Sequence, residues 1–332
     1  AIVPALIYIC FNIGLDTSGG WGIPMACDIA FVLGILYLLG DRVPVSVKIF
    51  FTAFGIVDDI GAVLVIALVY TNEISIWSLG LGLLFFILLI LANKIGVRST
   101  LFYGIVGIIG VWIPFLLSGV HATIAAVLVA FTIPATTKIS EKGFLSKIKS
   151  YSGELDKTES LSGVTLTKGQ LNIIKKMKSM TKHATPPLQR LEHSLHPVVS
   201  FIVMPIFALA NAGVVFDIDF ADLFSNNIFL GIVTGLIVGK FLGIFGITFL
   251  LLKLKLVKLP KKMTVSHLLG ISVLSGIGFT MCLFITTLAY DNPQHVTQAK
   301  IAIFAASIIA GISGYVLLNR KPKNETGSIS AS

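Results

Sequence analysis

Apolar residues in this chain fall into long runs separated by short polar connectors. Read at the length a helix needs to cross a bilayer, about 20 residues, the runs predict spanning helices at roughly 22–39, 45–70, 76–93, 101–118, 120–135, 195–214, 228–252, 265–289 and 297–318. A further run, Ala1 to Phe11, has about half the crossing length and begins without Met or the positively charged start of a signal peptide. The chain therefore reads as truncated at its amino end. The expected fold class is an all-α polytopic membrane protein.

Composition agrees, with 55% hydrophobic residues, 12% charged residues and a mean hydropathy of +0.93, far from the balance of a water-soluble domain. The position of the charges predicts the orientation, because cytoplasmic loops collect Lys and Arg. Of the 25 basic residues, 23 lie in alternate connectors: Arg42 and Lys48, Lys94 and Arg98, the stretch Lys138 to Arg190, the stretch Lys253 to Lys262, and Arg320 to Lys323. The connectors between hold Asp16, Glu73, Asp217, Asp219, Asp222 and Asp291, with Lys300 as the single exception. The carboxyl terminus is thus expected in the cytoplasm. This topology accounts for the net charge of +9, and no basic face interleaved with aromatics points to nucleic acid.

The one long connector, 136–190, is polar. Within it, KGQLNIIKKMKSMTK (168–182) lines apolar residues along one side of a basic helix. Such a helix suits an anionic membrane surface, or else a regulatory contact with the protein body or a partner. Residues 319–332 read as a disordered cytoplasmic tail. Cys10, Cys27 and Cys282 form neither a disulfide framework nor a metal-ligand spacing.

Within the spanning helices the charges are Asp28, Asp58, Asp59 and Lys240. At about 1.5 Å per residue, Val45 to Tyr70 covers roughly 39 Å, which puts Asp58 and Asp59 near the bilayer midplane. Carboxylates at that depth are costly and are a functional site by default. Consecutive residues point about 100° apart on a helix, yet the two still couple in a low-dielectric surround, each making the other's proton easier to retain. Lys240, about 18 Å into its own helix, lies at matching depth and needs either a carboxylate or the carbonyl end of an interrupted helix as partner.

Two segments carry the residues that interrupt helices: 22–39, with Gly22, Pro24 and Asp28 near one end, and 266–289, with Ser275, Gly276, Gly278 and Thr280 near the middle. Unwound backbone in a membrane must be covered by protein or line a cavity. Helix ends made at mid-depth carry partial charge, positive at N-termini and negative at C-termini, and Asp28 and Lys240 have the charges to offset them. A plain structural role stays open for each: a hydrogen-bond acceptor for Asp28, a counter-ion for Lys240. Two carboxylates where one would serve packing leave little room for that reading at Asp58 and Asp59.

Taken together these stretches are similar to the NhaA-type sodium/proton antiporters. The resemblance runs from residue 1 to about 318 and rests on VPALIY (3–8), GIPMACDIAFVLGIL (22–36), RVPVSVKIF (42–50), IVDDIGAVLVIAL (56–68), SGVHATIAAV (118–127), LEHSLHPVVSFIVMPIFALANAGV (191–214), GLIVGK (235–240) and SGIGFTMCLFI (275–285). It implies NhaA-like inverted repeats whose fourth and eleventh helices are discontinuous and crossed, here 22–39 and 266–289. In family terms, 1–135 runs from part of the third helix through the eighth, 136–190 is the basic connector, 191–318 holds the ninth to twelfth helices, and 319–332 is the tail. The family's first two helices and half of its third, including a hairpin that joins two protomers in a homodimer, are not in this stretch.

The resemblance also implies roles. Asp58 and Asp59 bind the ion or protons; Asp28 and Lys240 compensate helix dipoles and balance charge; Gly276 and Gly278 are the broken-helix glycines. Cys27 stands where family members commonly have Thr before the broken-helix Asp, so a hydroxyl contribution to sodium is in doubt there and a backbone carbonyl is the alternative. His196 is a pH-sensing candidate, against a plain polar anchor at the membrane interface. The implied function is electrogenic, pH-regulated exchange of cytoplasmic Na⁺ or Li⁺ for external H⁺, with no cofactor and no enzymatic activity. Oxygen-only ligation suits these ions, whereas zinc or copper would want His or Cys beside the acids. The two protons per sodium come either from both aspartates or from one aspartate and Lys240, released as Lys240 parts from Asp59. Two other classes fit the residues less well: a sodium-coupled organic-anion symporter, which lacks such an Asp pair, and an intramembrane aspartyl protease, which needs facing carboxylates from separate helices.

Overall fold

The computed structural model describes residues 1–70, 75–156, 167–211, 213 and 226–319. Glu73, Asp217, Asp219, Asp222 and the tail from 320 onward lie outside them. Every regular element among the described residues is helical. In chain order we label α1 (Ile2–Asn12), a tight 3-10 segment Asp16–Met25, α2 (Ile29–Leu38), α3 (Val45–Val69), α4 (Ile76–Ile95), α5 (Thr100–Leu117) and α6 (Ala122–Thr132). Then come α7 (Glu141–Asp156), α8 (Lys168–Ala184), α9 (Pro187–Asn211), α10 (Asn227–Lys253), α11 (Val265–Leu274), α12 (Phe279–Ala289) and α13 (Pro293–Asn319).

Seven helical stretches are long and apolar enough to cross a membrane, and an eighth is the pair Asp16–Met25 and Ile29–Leu38, bent by 41° at its break. Large apolar side chains such as Leu68, Trp77 and Phe201 are 80% or more exposed. So much outward apolar surface needs lipid to cover it. The chain is a multi-pass membrane protein.

Several boundaries differ from the sequence expectation. The first broken segment begins at Asp16, not at 22, so its break falls in the middle. The outer half, DTSGGWGIPM, has Gly and Pro in place of apolar periodicity and reads like a connector. Helix α6 covers 11 residues where 120–135 was expected, bounded by Gly119 in the left-handed region (φ 84°) and by Pro134 after its end. Helix α9 starts at Pro187, where a missing N–H costs nothing at a first turn, eight residues before the expected 195, so His193 lies inside the helix together with His196. The polar connector holds two helices, α7 and α8. Thr167 and Gln170 close a capping box on α8. At the other end of the chain, Asn319 is still helical and accepts a hydrogen bond from Arg42.

Residues group into two compact units, Ala1–Tyr70 with Met204–Ser332, and Thr71–Val203. The second unit packs Leu89, Tyr103, Val111, Phe115 and Ala125 into one core. Close approach there depends on glycine: a Cβ on Gly82 would sit 2.6 Å from the Phe115 ring, and one on Gly107 2.6 Å from Val129. Small residues at such crossings are how helices approach in lipid.

The first unit has two apolar clusters instead of one. One gathers Tyr8, Ile23, Ile66, Ile232, Leu236 and Ile285 around the outer 3-10 segment and α12. The other gathers Val32, Leu36, Phe51, Leu268, Ile271 and Leu274 around α2 and α11. The chain passes from one cluster to the other at Ala26 and Cys27, so the breaks form a polar layer between two apolar ones. Helix α3 reaches this layer at Gly55, where a Cβ would meet Ile29 at 2.6 Å. Gly55→Val is expected to cost about 1–3 kcal/mol by overpacking that crossing, seen as a lower thermal midpoint of the detergent-solubilised protein; an unchanged midpoint would show that the contact can relax.

Candidate functional site

Asp28 is the residue just before α2, and its side chain accepts the Phe31 N–H at 3.2 Å. That is an ordinary N-cap. Its second oxygen leaves the element altogether, accepting the Thr280 N–H at 3.0 Å and the Thr280 hydroxyl at 2.8 Å. Helix α12 has Gly278 at its N-cap position and so no side-chain cap of its own. One carboxylate, 3% exposed, therefore serves the first turns of two helices, where orphan N–H groups carry partial positive charge. The Asp28 N–H in turn donates to the Ile277 carbonyl at 2.7 Å, joining the two breaks backbone to backbone.

The opposite pole is met by Lys240. Its ammonium, 1% exposed, donates to the Met25 carbonyl at the end of the outer 3-10 segment and also to Asp58. It enters from α10 directly after a π-helical stretch, Gly235–Gly239, a local widening often found at functional sites. Gly239 lets that stretch lie against α1, since a Cβ would fall 2.7 Å from Pro4 Cα. Helix α11 needs no cation at its own end: Ser275, Gly276 and Ile277 turn back onto the carbonyls of Ile271, Val273 and Leu274 at 2.9–3.0 Å. Gly276 permits this turn beside α10, because a Cβ would lie 2.9 Å from the Leu236 carbonyl. At Gly278 a Cβ would lie 3.0 Å from Leu236 and 3.2 Å from the Ala26 carbonyl.

The adjacent aspartates have different surroundings. Asp58 is 5% exposed and bound to Lys240. Asp59 is half-buried, and its Oδ1 is buried without a hydrogen-bond partner among the described residues. Cys27, 1% exposed, lies in the break with its thiol against Asp58.

Sequence reasoning left the partner of Lys240 open, as one of the carboxylates or the carbonyl end of an interrupted helix, and named Asp59 only in one of its proton routes; the structure pairs Lys240 with Asp58 and the Met25 carbonyl. Adjacent positions on one helix differ by about 100°, and nothing in the sequence sets how α3 is rotated toward α10. It also left Thr280 and the Met25 carbonyl without roles. Thr280, two residues past a glycine at a helix start, carried a readable signal; Met25 did not. His196 is exposed on α9 in the second unit, where it lines a cavity of about 360 Å³ with Glu192 and His193.

A family model described as Na⁺/H⁺ antiporter 1 matches residues 1–318. The chain belongs to that family. It is similar to the Na(+)/H(+) antiporter NhaA 1 of Psychromonas ingrahamii, 48% identical over 97% of this chain and 73% of the relative. It is also similar to the Na(+)/H(+) antiporter NhaA of Oleidesulfovibrio alaskensis, 44% identical over 96% of this chain and 70% of the relative, and to that of Wolinella succinogenes, 43% identical over the same shares. The Na⁺/H⁺ antiporter family is one of transporters, not enzymes, which sets the protease reading aside. Helical content and the apolar spans fit that membership.

Removing the carboxylate of Asp28 leaves two helix starts uncapped at once, so Asp28→Ala is expected to lose about 3 kcal/mol or more. Thr280→Val keeps its N–H bond and is expected to lose about 1 kcal/mol. Thermal unfolding in detergent ranks the two, and equal losses would mean that Asp28 does not serve both helices.

Proposed function

We propose that this chain carries the ion-exchange site of an electrogenic antiporter that moves cytoplasmic Na⁺ or Li⁺ out against inward H⁺, for sodium and pH homeostasis. The observation that carries the reading is the unequal aspartate pair: Asp58 neutralised by a buried ammonium, and Asp59 beside it with an unpartnered buried oxygen. Two carboxylates and nearby carbonyls make an oxygen-only donor set, which suits a hard monovalent cation. Na⁺ and H⁺ are substrates of this site.

The exchange follows from competition. A sodium ion meets Asp59 first, since that carboxylate has an oxygen to spare. To engage Asp58 as well, it must displace the Lys240 ammonium. Lys240 then loses its counter-charge and releases a proton, or else retreats to the Met25 carbonyl it already touches. With one proton from Asp59 and one from Lys240, two charges move in for one out, and the membrane potential contributes about 2.3 kcal/mol per 100 mV for the net charge. The first break touches Lys240 through the Met25 carbonyl and is bonded to the second through Asp28, so ion occupancy acts on the bonds that hold the half-helices. This gives alternating access a physical handle.

The same reading covers finer features. The basic connectors support a cytoplasmic carboxyl terminus in the inner membrane; the inverted-repeat plan accounts for two breaks of opposite polarity meeting at one depth; a homodimer is expected of the full-length protein. His196 is a candidate for the pH response, because imidazole titrates in the physiological range.

Full-length protein in proteoliposomes is expected to collapse an imposed pH gradient when Na⁺ or Li⁺ is added, and Asp58→Asn with Asp59→Asn to abolish the response. A gradient that survives both ions would sink the antiport reading. Protons bind the site that sodium needs, so the apparent KM for Na⁺ should rise as pH falls, approaching about tenfold per unit where one proton competes. A pH-independent KM would contradict competition.

A further inference from the structure

The 3-10 segment that presents the Met25 carbonyl to Lys240 is secured at its far end by phenols from three elements. Tyr8 of α1 and Tyr290, just past α12, are 0% and 6% exposed and share a hydrogen bond. Both hydroxyls also reach the Thr17 carbonyl, at 2.9 and 3.2 Å. Tyr70, the C-cap of α3, donates to the Gly19 carbonyl at 2.6 Å. The Thr17 hydroxyl donates to Asn12 Oδ1 at 2.7 Å, and the Asn12 amide donates to the Asn227 carbonyl at 3.1 Å, tying in the start of α10. Gly20 makes room, since a Cβ there would come 2.7 Å from the Tyr8 hydroxyl.

This much polar apparatus needs a reason. Segment Asp16–Met25 has neither apolar periodicity nor regular α-helical bonding to set its position, and a loosely held carbonyl would be a poor partner for a buried cation. We propose that Tyr8, Tyr70 and Tyr290 form a positioning collar: they fix the outer half-helix so that the Met25 carbonyl and Asp58 share Lys240, and so set how readily sodium takes Asp58. The assignment rests on the antiport reading. The tyrosines act through the segment and do not touch the ion.

The collar is tested in full-length protein with Tyr8→Phe and Tyr290→Phe combined, which keeps both rings but removes both donors to Thr17. Gly20→Ala, which pushes a methyl group into the same hydroxyls, is the second variant. Two readouts are taken. The first is labelling of buried Cys27 by a membrane-permeant maleimide in a Cys10→Ser, Cys282→Ser background, and it needs no transport. Labelling is expected to quicken at least severalfold in either variant, as the segment before Cys27 loosens. The second is sodium-driven dissipation of a pH gradient, where the KM for Na⁺ is expected to shift severalfold with kcat changed less than twofold. Unchanged Cys27 labelling in both variants overturns the collar whatever transport does, and so does an equal fall in kcat with KM fixed. A parent protein that ignores Na⁺ refutes antiport, while the labelling still decides whether the tyrosines hold the segment.

Discussion

Backbone that leaves its helix at mid-membrane must find partners without water, and Asp28 meets much of that demand in the first unit. Two helix starts converge on its carboxylate while its own N–H takes the Ile277 carbonyl. Polar groups left unpaired in hydrocarbon cost several kcal/mol each, so the two breaks are stable together and would not be stable apart. The glycines follow from this. Gly276 and Gly278 sit where any Cβ would meet α10, and without them the second break could not come close enough to the first.

Lys240 closes the circuit from the other side. Placed at the carbonyl end of one half-helix and against Asp58, it links a formal ion pair to a helix terminus. A buried pair adds little to net stability, yet removing one member strands the other and costs about 3–5 kcal/mol. That asymmetry suits a transporter. On the proposed exchange, Asp58 cannot cheaply lose its cation but can trade one cation for another, so the energy of the pair gates which cation is present.

Much of this was legible before the structure. Charges in apolar runs are rare enough to stand out, so Asp28, Asp58, Asp59 and Lys240 could be picked out one by one, and glycine and serine clustering located the second break. What stayed hidden was geometry between elements. The start of the outer half-helix at Asp16 resembled a connector because a 3-10 segment held by tyrosines needs no apolar stripe. The choice between Asp58 and Asp59 for Lys240 turned on the rotation of one helix against another. The double duty of Asp28 depended on Thr280, 252 residues away along the chain. A sequence states which groups need partners more clearly than it states which partners they take.

On the proposed exchange, the inequality of the aspartates gives a reason for two adjacent carboxylates. A single carboxylate bound to Lys240 would offer an arriving sodium ion only a compensated charge, and one without Lys240 would strand an anion in the bilayer whenever no ion was bound. On the proposed reading the duties are split, with Asp58 held by Lys240 and Asp59 carrying a proton whenever no ion is bound. One is neutralised by a residue that also braces a helix end; the other keeps a free oxygen beside it. On the proposed exchange, the ammonium that loses Asp58 keeps the Met25 carbonyl as a hydrogen-bond partner but has no counter-charge, which favours release of its proton.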